Sequence, residues 1–310
     1  MFKPLFAYLF PGQGSQYVGM GRDLCATFPA AREVLSRANR ILDIDLSSLC
    51  FHGPAESLND TLNTQPAVLT ISIAALRALD GCEVRKPAYV AGHSMGEFSA
   101  LVAAGVLSFE DGLRLVRERG RLMQQAGEQD AGGLVAVLGL DRDSVEAICA
   151  TVREQSGDYV GIANDNCPGQ VVISGTTGAL EQAVELAKAQ GARRAIRLAV
   201  SIAAHSPLMS RAAVQFRRIL KATPFREPDV PIVMNASARP LTDPVAIRDA
   251  VGQQLTSPVR WTESVRWMIA HGVTRFVEVG PKEVLTGLLR RIDATMERVS
   301  TAQVLACQAS

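Results

Sequence analysis

Residues 89–107, YVAGHSMGEFSALVAAGVL, decide how the rest of the chain is read. The stretch opens as a β-prone apolar run and closes as an Ala-rich, helix-prone one. Between them Gly92-His93-Ser94-Met95-Gly96 makes an abrupt corner, with a glycine two residues to either side of the serine. G-x-S-x-G between a strand and a helix is the pattern of a nucleophile elbow. The turn is too tight for nearby side chains, and the serine is pushed clear of the sheet. Its hydroxyl then stands at a helix N-terminus, where free N–H groups and the helix dipole favour a developing oxyanion. The same residues also suit a tight turn with no chemical role; the strand before and the helix after favour the elbow.

A serine nucleophile needs a base, and the chain has four histidines. His93 adjoins Ser94 and is expected to point to the other side of the turn. His271 precedes Gly272 at a helix C-terminus, where a cation suits the dipole. His52 falls in a polar loop, FHGPAESLND. His205, in LAVSIAAHSPLM directly after an expected strand, is where α/β folds display functional groups. By itself it reads as a satisfied buried imidazole; beside Ser94 it reads as the base.

SFEDGLRLVRERGRLMQQAG (108–127) is expected to be a helix opened by a capping-box-like Ser108 and Asp111. At about 100° per residue, Leu115, Leu122, Met123 and Ala126 share one apolar arc, and Arg119 falls about 40° from Leu115, inside it. A guanidinium keeps its charge, so facing inward it needs an anion. Two readings stand: a buried ion pair or snorkelling side chain, or a bidentate clamp for a substrate carboxylate.

Beyond these residues, strand and helix patterns alternate, giving an α/β fold with a mostly parallel sheet. LFAYLF (5–10), AYVAG (88–92), IVMNA (232–236) and RFVEVG (275–280) read as strands. A helix is expected from Pro66 to 79 and another over 257–272, closed by Gly272. The middle reads β-α-β-β-α-β, a ferredoxin-like arrangement. The expected organisation is a large domain over 1–130 and 199–310, with a small subdomain, 131–198, inserted into it.

The first loop, FPGQGSQYVGMG (10–21), is glycine-rich but is no nucleotide loop: GK[ST] is missing, and Tyr17 stands where G-x-G-x-x-G needs glycine. Its exposed N–H groups suit an oxyanion. A net charge of +1 with 20% charged residues gives no bulk attraction for nucleic acid or membranes. No run approaches the roughly 18 apolar residues of a membrane span. The N-terminal apolar stretch is cut by Pro11-Gly12 and reads as a first strand rather than a signal peptide. The six cysteines, Cys25, Cys50, Cys82, Cys149, Cys167 and Cys307, form no C-x-x-C. They read as reduced thiols in a cytoplasmic protein.

In order and spacing, FPGQGSQYVGMG, GHSMGEFSALVAAGV, VRERGRLMQ, NDNCPGQVVISG, AAHSPLM, QLTSPVRWTESV and EVGPKEVLTGL together resemble the malonyl-CoA:acyl-carrier-protein transacylase family. The resemblance runs from about residue 5 to 292 and implies a serine-hydrolase-like α/β core carrying a ferredoxin-like insertion. It implies that Ser94 is the acylated nucleophile and His205 its base. It assigns Arg119 to the malonyl carboxylate, and the backbone N–H groups of Gln13 and Met95 to the oxyanion hole. It implies that Gln254 supports the histidine through its main-chain carbonyl, and Asn164 and Asn166 resemble the family's Asn pair at the subdomain edge. It implies ping-pong transfer from a coenzyme A thioester to acyl carrier protein by a monomer with no cofactor or metal. A polyketide-synthase acyltransferase acting in trans and a carrier-protein acyl hydrolase are the alternatives; the hydrolases typically replace the clamp arginine. Candidate docking cations for an acidic carrier are Arg193, Arg194, Arg197, Arg217, Arg218, Lys221, Arg290 and Arg291. Two departures stand out. Lys282 replaces the family's usual Gly in a loop expected to lie away from the chemistry. SIAAHS lacks the aromatic that many relatives carry before the histidine, which leaves room for a branched extender.

Overall fold

The computed structural model describes residues 5–80, 86–129, 132–200 and 202–307. Cys82 and the expected domain junction at 130–131 lie outside them. Among the described residues, ten strands form two sheets. The larger contains β1 (Leu5–Phe10), β2 (Tyr89–Gly92), β7 (Ile232–Val233), β8 (Pro240–Leu241), β9 (Val273–Glu278) and β10 (Glu297–Ser300). Their order is β10-β9-β1-β2-β7-β8, parallel except at the β7–β8 edge. Phe10 pairs with Gly92 and Leu9 with Glu278, so the carboxyl ends of β1, β2 and β9 meet on one side. That edge is where open α/β sheets place ligands.

The smaller sheet contains β3 (Gly132–Leu138), β4 (Val160–Cys167), β5 (Gln170–Thr176) and β6 (Arg194–Arg197). Its order, β4-β5-β3-β6, is antiparallel throughout. With the helices Arg142–Ser156 and Thr177–Ala189 between strands, this is the ferredoxin-like pattern read from the sequence. Alternating apolar side chains, among them Val135, Val137, Ile162 and Ile173, meet Ile148, Val152 and Leu180 of the two helices in one core.

Four local expectations are corrected. The helix containing Pro66 begins at Thr61, with Asp60 accepting from the Leu62 N–H. Proline inside a helix leaves the carbonyl four residues earlier without its donor; that carbonyl, Leu62 O, receives Arg117 Nη1 instead. The strand expected over 232–236 stops at Val233, because the Asn235 N–H turns to the Glu97 carboxylate. The helix expected from 257 starts at Trp261. Pro258 disfavours helical backbone before it, and Val259 pairs instead with β4, donating to Ala163 O and accepting from Asp165 N. His52 closes the helix Leu46–His52 rather than lying in a loop.

Candidate active site

The corner after β2 is built as the glycines suggested. A Cβ on Gly92 would lie 2.0 Å from the Gly96 carbonyl carbon, and one on Gly96 would lie 2.2 Å from Phe10 O. The helix Gly96–Ala103 follows at once. Ser94 has φ 52°, a left-handed conformation that costs a non-glycine residue on the order of 1–3 kcal/mol. Hydrogen bonds hold it there. Its N–H donates to Asn235 Oδ1 at 2.7 Å, and its carbonyl accepts from Glu97 N and Gln254 Nε2, each at 3.0 Å.

His205 comes to it from 111 residues away, with Nε2 2.8 Å from Ser94 Oγ. This residue is also left-handed, φ 60°, and buried. Its Nδ1 faces Gln254 O at 3.0 Å and Ser257 O at 3.2 Å. Carbonyl oxygens only accept, so Nδ1 carries the proton and Nε2 offers its lone pair to the serine hydroxyl. Burial, and then the Arg119 charge, push the imidazole down to about 3, against the two carbonyls. The ring is therefore neutral at physiological pH.

Arg119 lies within the helix Phe109–Gln129 and is 1% exposed, as its place in the apolar arc required. Nε donates to Gln254 Oε1 at 3.2 Å, Nη1 to Gln65 Oε1 at 2.9 Å and Nη2 to Ser94 Oγ at 3.3 Å. Those partners are two amides and a hydroxyl, not a bonded carboxylate. Burial lowers the guanidinium to about 10, with Glu97 opposing, so it stays cationic. Two neutral amide oxygens fix the fork without neutralising it, beside the serine oxygen.

Ser94, His205 and Arg119 line a cavity of about 470 Å³, together with Gln13, Met95, Asn164 and Asn166; Gln254 stands behind them, outside its lining. Gln13 follows β1 and is tied by its Nε2 to Thr61 Oγ1 at 3.2 Å. Asn164 and Asn166 come from β4 and bring the smaller sheet to the cavity. His93 does not turn away as expected. Its ring lies against Trp261 and lines the cavity, with Nε2 2.7 Å from Asn166 Oδ1. A half-buried imidazole still needs a polar partner, and this one arrives from the other sheet, 73 residues later. Lys282 is likewise not remote. At φ 60° it reaches back so that Nζ donates to Gly14 O at 3.3 Å and lies over the Tyr17 ring. That carbonyl adjoins Gln13 in the first loop.

The model of the acyl transferase domain family matches residues 7–307. A malonyl CoA-acyl carrier protein transacylase from Bacillus subtilis (strain 168) is 45% identical over 296 residues, covering 96% of this chain and 93% of the relative. The chain belongs to that transacylase family. Among solved structures, an acyl carrier protein S-malonyltransferase from Vibrio cholerae superposes with a TM-score of 0.91 at 44% identity, covering 95% of this chain and 96% of that one. A malonyl-transacylase in complex with its type II PKS acyl-carrier protein superposes with a TM-score of 0.94 at 41% identity, covering 98% and 99%. As a family member the chain is an acyltransferase with the shared mixed α/β fold.

Within this transacylase fold, three buried polar residues at the site escaped the sequence reading: Gln65, Glu97 and Asn235. Each borders or interrupts an apolar run, in TQPAVLTI, GEFSALVAAG and IVMNA. That interruption was the available signal. Gln254 was expected to act through its main-chain carbonyl; its side chain also bridges Arg119, Ser94 and Glu97.

Proposed function

We propose that this chain moves a malonyl group from coenzyme A to the phosphopantetheine thiol of an acyl carrier protein, through a malonyl ester on Ser94. One observation carries the reading: a hydroxyl 2.8 Å from a neutral imidazole nitrogen and 3.3 Å from a buried guanidinium. The first pair makes a nucleophile. The second sets a cation at the distance where the far end of a short diacid would sit.

In the first half-reaction His205 Nε2 takes the Ser94 proton as Oγ attacks the thioester carbonyl. The N–H groups of Gln13 and Met95 receive the oxyanion. The intermediate collapses, the C–S bond breaks, and the coenzyme A sulfur leaves with the proton from Nε2. In the second half the carrier thiol gives its proton to His205 and attacks the ester; Ser94 takes that proton back as it leaves. Arg119 pins the malonyl carboxylate throughout and, with Asn164 and Asn166 closing one wall, keeps water badly placed. No cofactor or metal enters the scheme.

Retention of Arg119 supports transfer of a dicarboxylic acyl group over hydrolysis of stalled acyl carriers. The relative solved in complex with its carrier supports an acyl carrier protein as acceptor. One chain supplies every group named, which supports action as a monomer. Cys25, Cys50, Cys149 and Cys167 are free thiols, which supports a reducing cytoplasmic setting. Among the described residues, no helix is long and apolar enough to cross a membrane.

The test is incubation with malonyl-, methylmalonyl- and acetyl-CoA, with acyl adducts read by intact mass. Carrier proteins from fatty-acid and polyketide assembly are then added in separate arms. A malonyl adduct on Ser94 discharged by a carrier is the expected result, and the carrier that discharges it assigns the pathway. An adduct lost to water as fast as to either carrier would favour the hydrolase.

A further inference from the structure

Glu97 lies in the otherwise apolar helix after the elbow and is 1% exposed. Its carboxylate is held by two neutral donors. Oε1 accepts from the Asn235 N–H at 2.7 Å, and Oε2 accepts from Gln254 Nε2. Each of those partners braces a different part of the proposed machinery. Asn235 takes the Ser94 N–H on its Oδ1 and gives its Nδ2 to Gly92 O at 2.6 Å. Gln254 receives His205 on its main-chain carbonyl and Arg119 Nε on its side-chain oxygen.

Gln254 raises a question of polarity. A primary amide has nearly the same shape when turned over, but its donor and acceptor ends exchange. Turned over, Gln254 would set an NH2 against the Nε–H of Arg119, donor against donor, and would release the guanidinium. Two acceptors oppose that flip: Ser94 O at 3.0 Å and, at shorter range, the Glu97 carboxylate. An ionised carboxylate only accepts, and its hydrogen bonds are stronger than those of a neutral carbonyl. We infer that Glu97 is a positioning residue that locks the Gln254 amide with its oxygen toward Arg119, and so fixes the guanidinium relative to Ser94.

Burial pushes the Glu97 carboxyl up to about 7, opposed by the bonds from Asn235 and Gln254 and by the charge of Arg119, the charged group it faces. A protonated carboxyl would point an O–H at one of two donors and loosen the lock. Glu97→Gln imitates that form.

The inference rests on the proposed clamp, so Arg119→Ala is measured alongside. The readouts are kcat and KM for Ser94 acylation by malonyl-CoA and by acetyl-CoA. Glu97→Gln raises KM for malonyl-CoA and lowers the malonyl-to-acetyl ratio of kcat/KM about tenfold to a hundredfold. Gln254→Leu keeps the main-chain carbonyl for His205 and shows the same fall in ratio. The double variant falls no further than either single one, because the carboxylate acts through the amide. An unchanged ratio in Glu97→Gln, or effects that add in the double variant, would overturn the lock. Where Glu97→Gln does not fold, Glu97→Asp, ionised but one methylene too short to hold the Gln254 amide, takes its place: a retained ratio overturns the inference and a reduced one supports it. Loss of preference in Arg119→Ala but not in the Glu97 and Gln254 variants defeats only the lock. Retention in all of them defeats the clamp reading, and the lock with it.

Discussion

The small sheet and the carboxyl edge of the large one are built on opposite rules. The core that the small sheet forms with its two helices is Val, Ile, Leu, Ala and one Cys, and between residues 132 and 197 the left-handed residues are all glycines. At the carboxyl edge, Ser94, Ala238, His205 and Lys282 are left-handed without being glycine. Gln65, Glu97, Arg119, Asn235 and Gln254 are buried there. Apolar burial makes the first region. In the second, hydrogen bonds hold strained backbone and a desolvated charge in place, an arrangement stable only because every partner is supplied. Stability and chemistry are thus separable in this chain, and substitutions can test how cleanly.

The largest effect is expected from Ser94→Ala. It removes the oxygen that would carry the acyl group, and the covalent adduct disappears from the intact mass spectrum; a persisting adduct would take Ser94 out of its role. Arg119→Ala comes next. Losing a charge-assisted partner in a buried site is worth roughly 3–5 kcal/mol, so malonyl-CoA turnover collapses while relative activity on acetyl-CoA rises. Steady-state kinetics on both thioesters checks it, and an unchanged acyl preference would make Arg119 structural.

The third expectation concerns pH. His205 is pushed down to about 3, so the base form persists well below an ordinary imidazole, and the acid limb of kcat/KM on acetyl-CoA lies below pH 6.5, the usual histidine value. Stability runs with the same sign. Between those two values the unfolded chain binds a proton that the folded one does not, so this residue costs stability as pH falls through that window. A limb near pH 6.5 would mean that the imidazole is solvated during turnover.

A smaller and selective effect is expected at the exposed cations Arg193 and Arg194 by β6. Reversing both to Glu weakens discharge to an acidic carrier without affecting malonylation from coenzyme A, as single-turnover assays of the two halves would show. Equal loss in both halves would count against docking there. The smallest is Ile173→Val in the core of the small sheet. It costs about 0.5–1.5 kcal/mol of stability, read by denaturant unfolding, and leaves acyl preference unchanged. A shifted preference would break the division between the two regions.

The sequence exposed those features that depend on local pattern. The strand–glycine–helix corner, the βαββαβ order and the inward place of Arg119 each follow from spacing along one element, and the structure has all three. What it concealed depends on meetings across the chain. Nothing near His93 announces Asn166, and nothing near Glu97 announces Gln254, 157 residues later. The helix expected from 257 failed for the same reason, since Val259 has its partners on β4. Lys282 misled because a side chain on a loop gives no direction until φ is known.

The close contacts of Gly92 and Gly96 carry a last consequence. A methyl group at either would strike main-chain atoms, and main chain cannot be trimmed by a compensating change elsewhere. Drift around Ser94 is therefore blocked on the sheet side. The freedom that remains lies across the cavity, where Met123, Leu134, Leu198, Val200 and Ile202 form an apolar wall of exchangeable side chains. Descendants of this chain that come to accept bulkier acyl groups would carry their changes in that wall and leave the corner as it is.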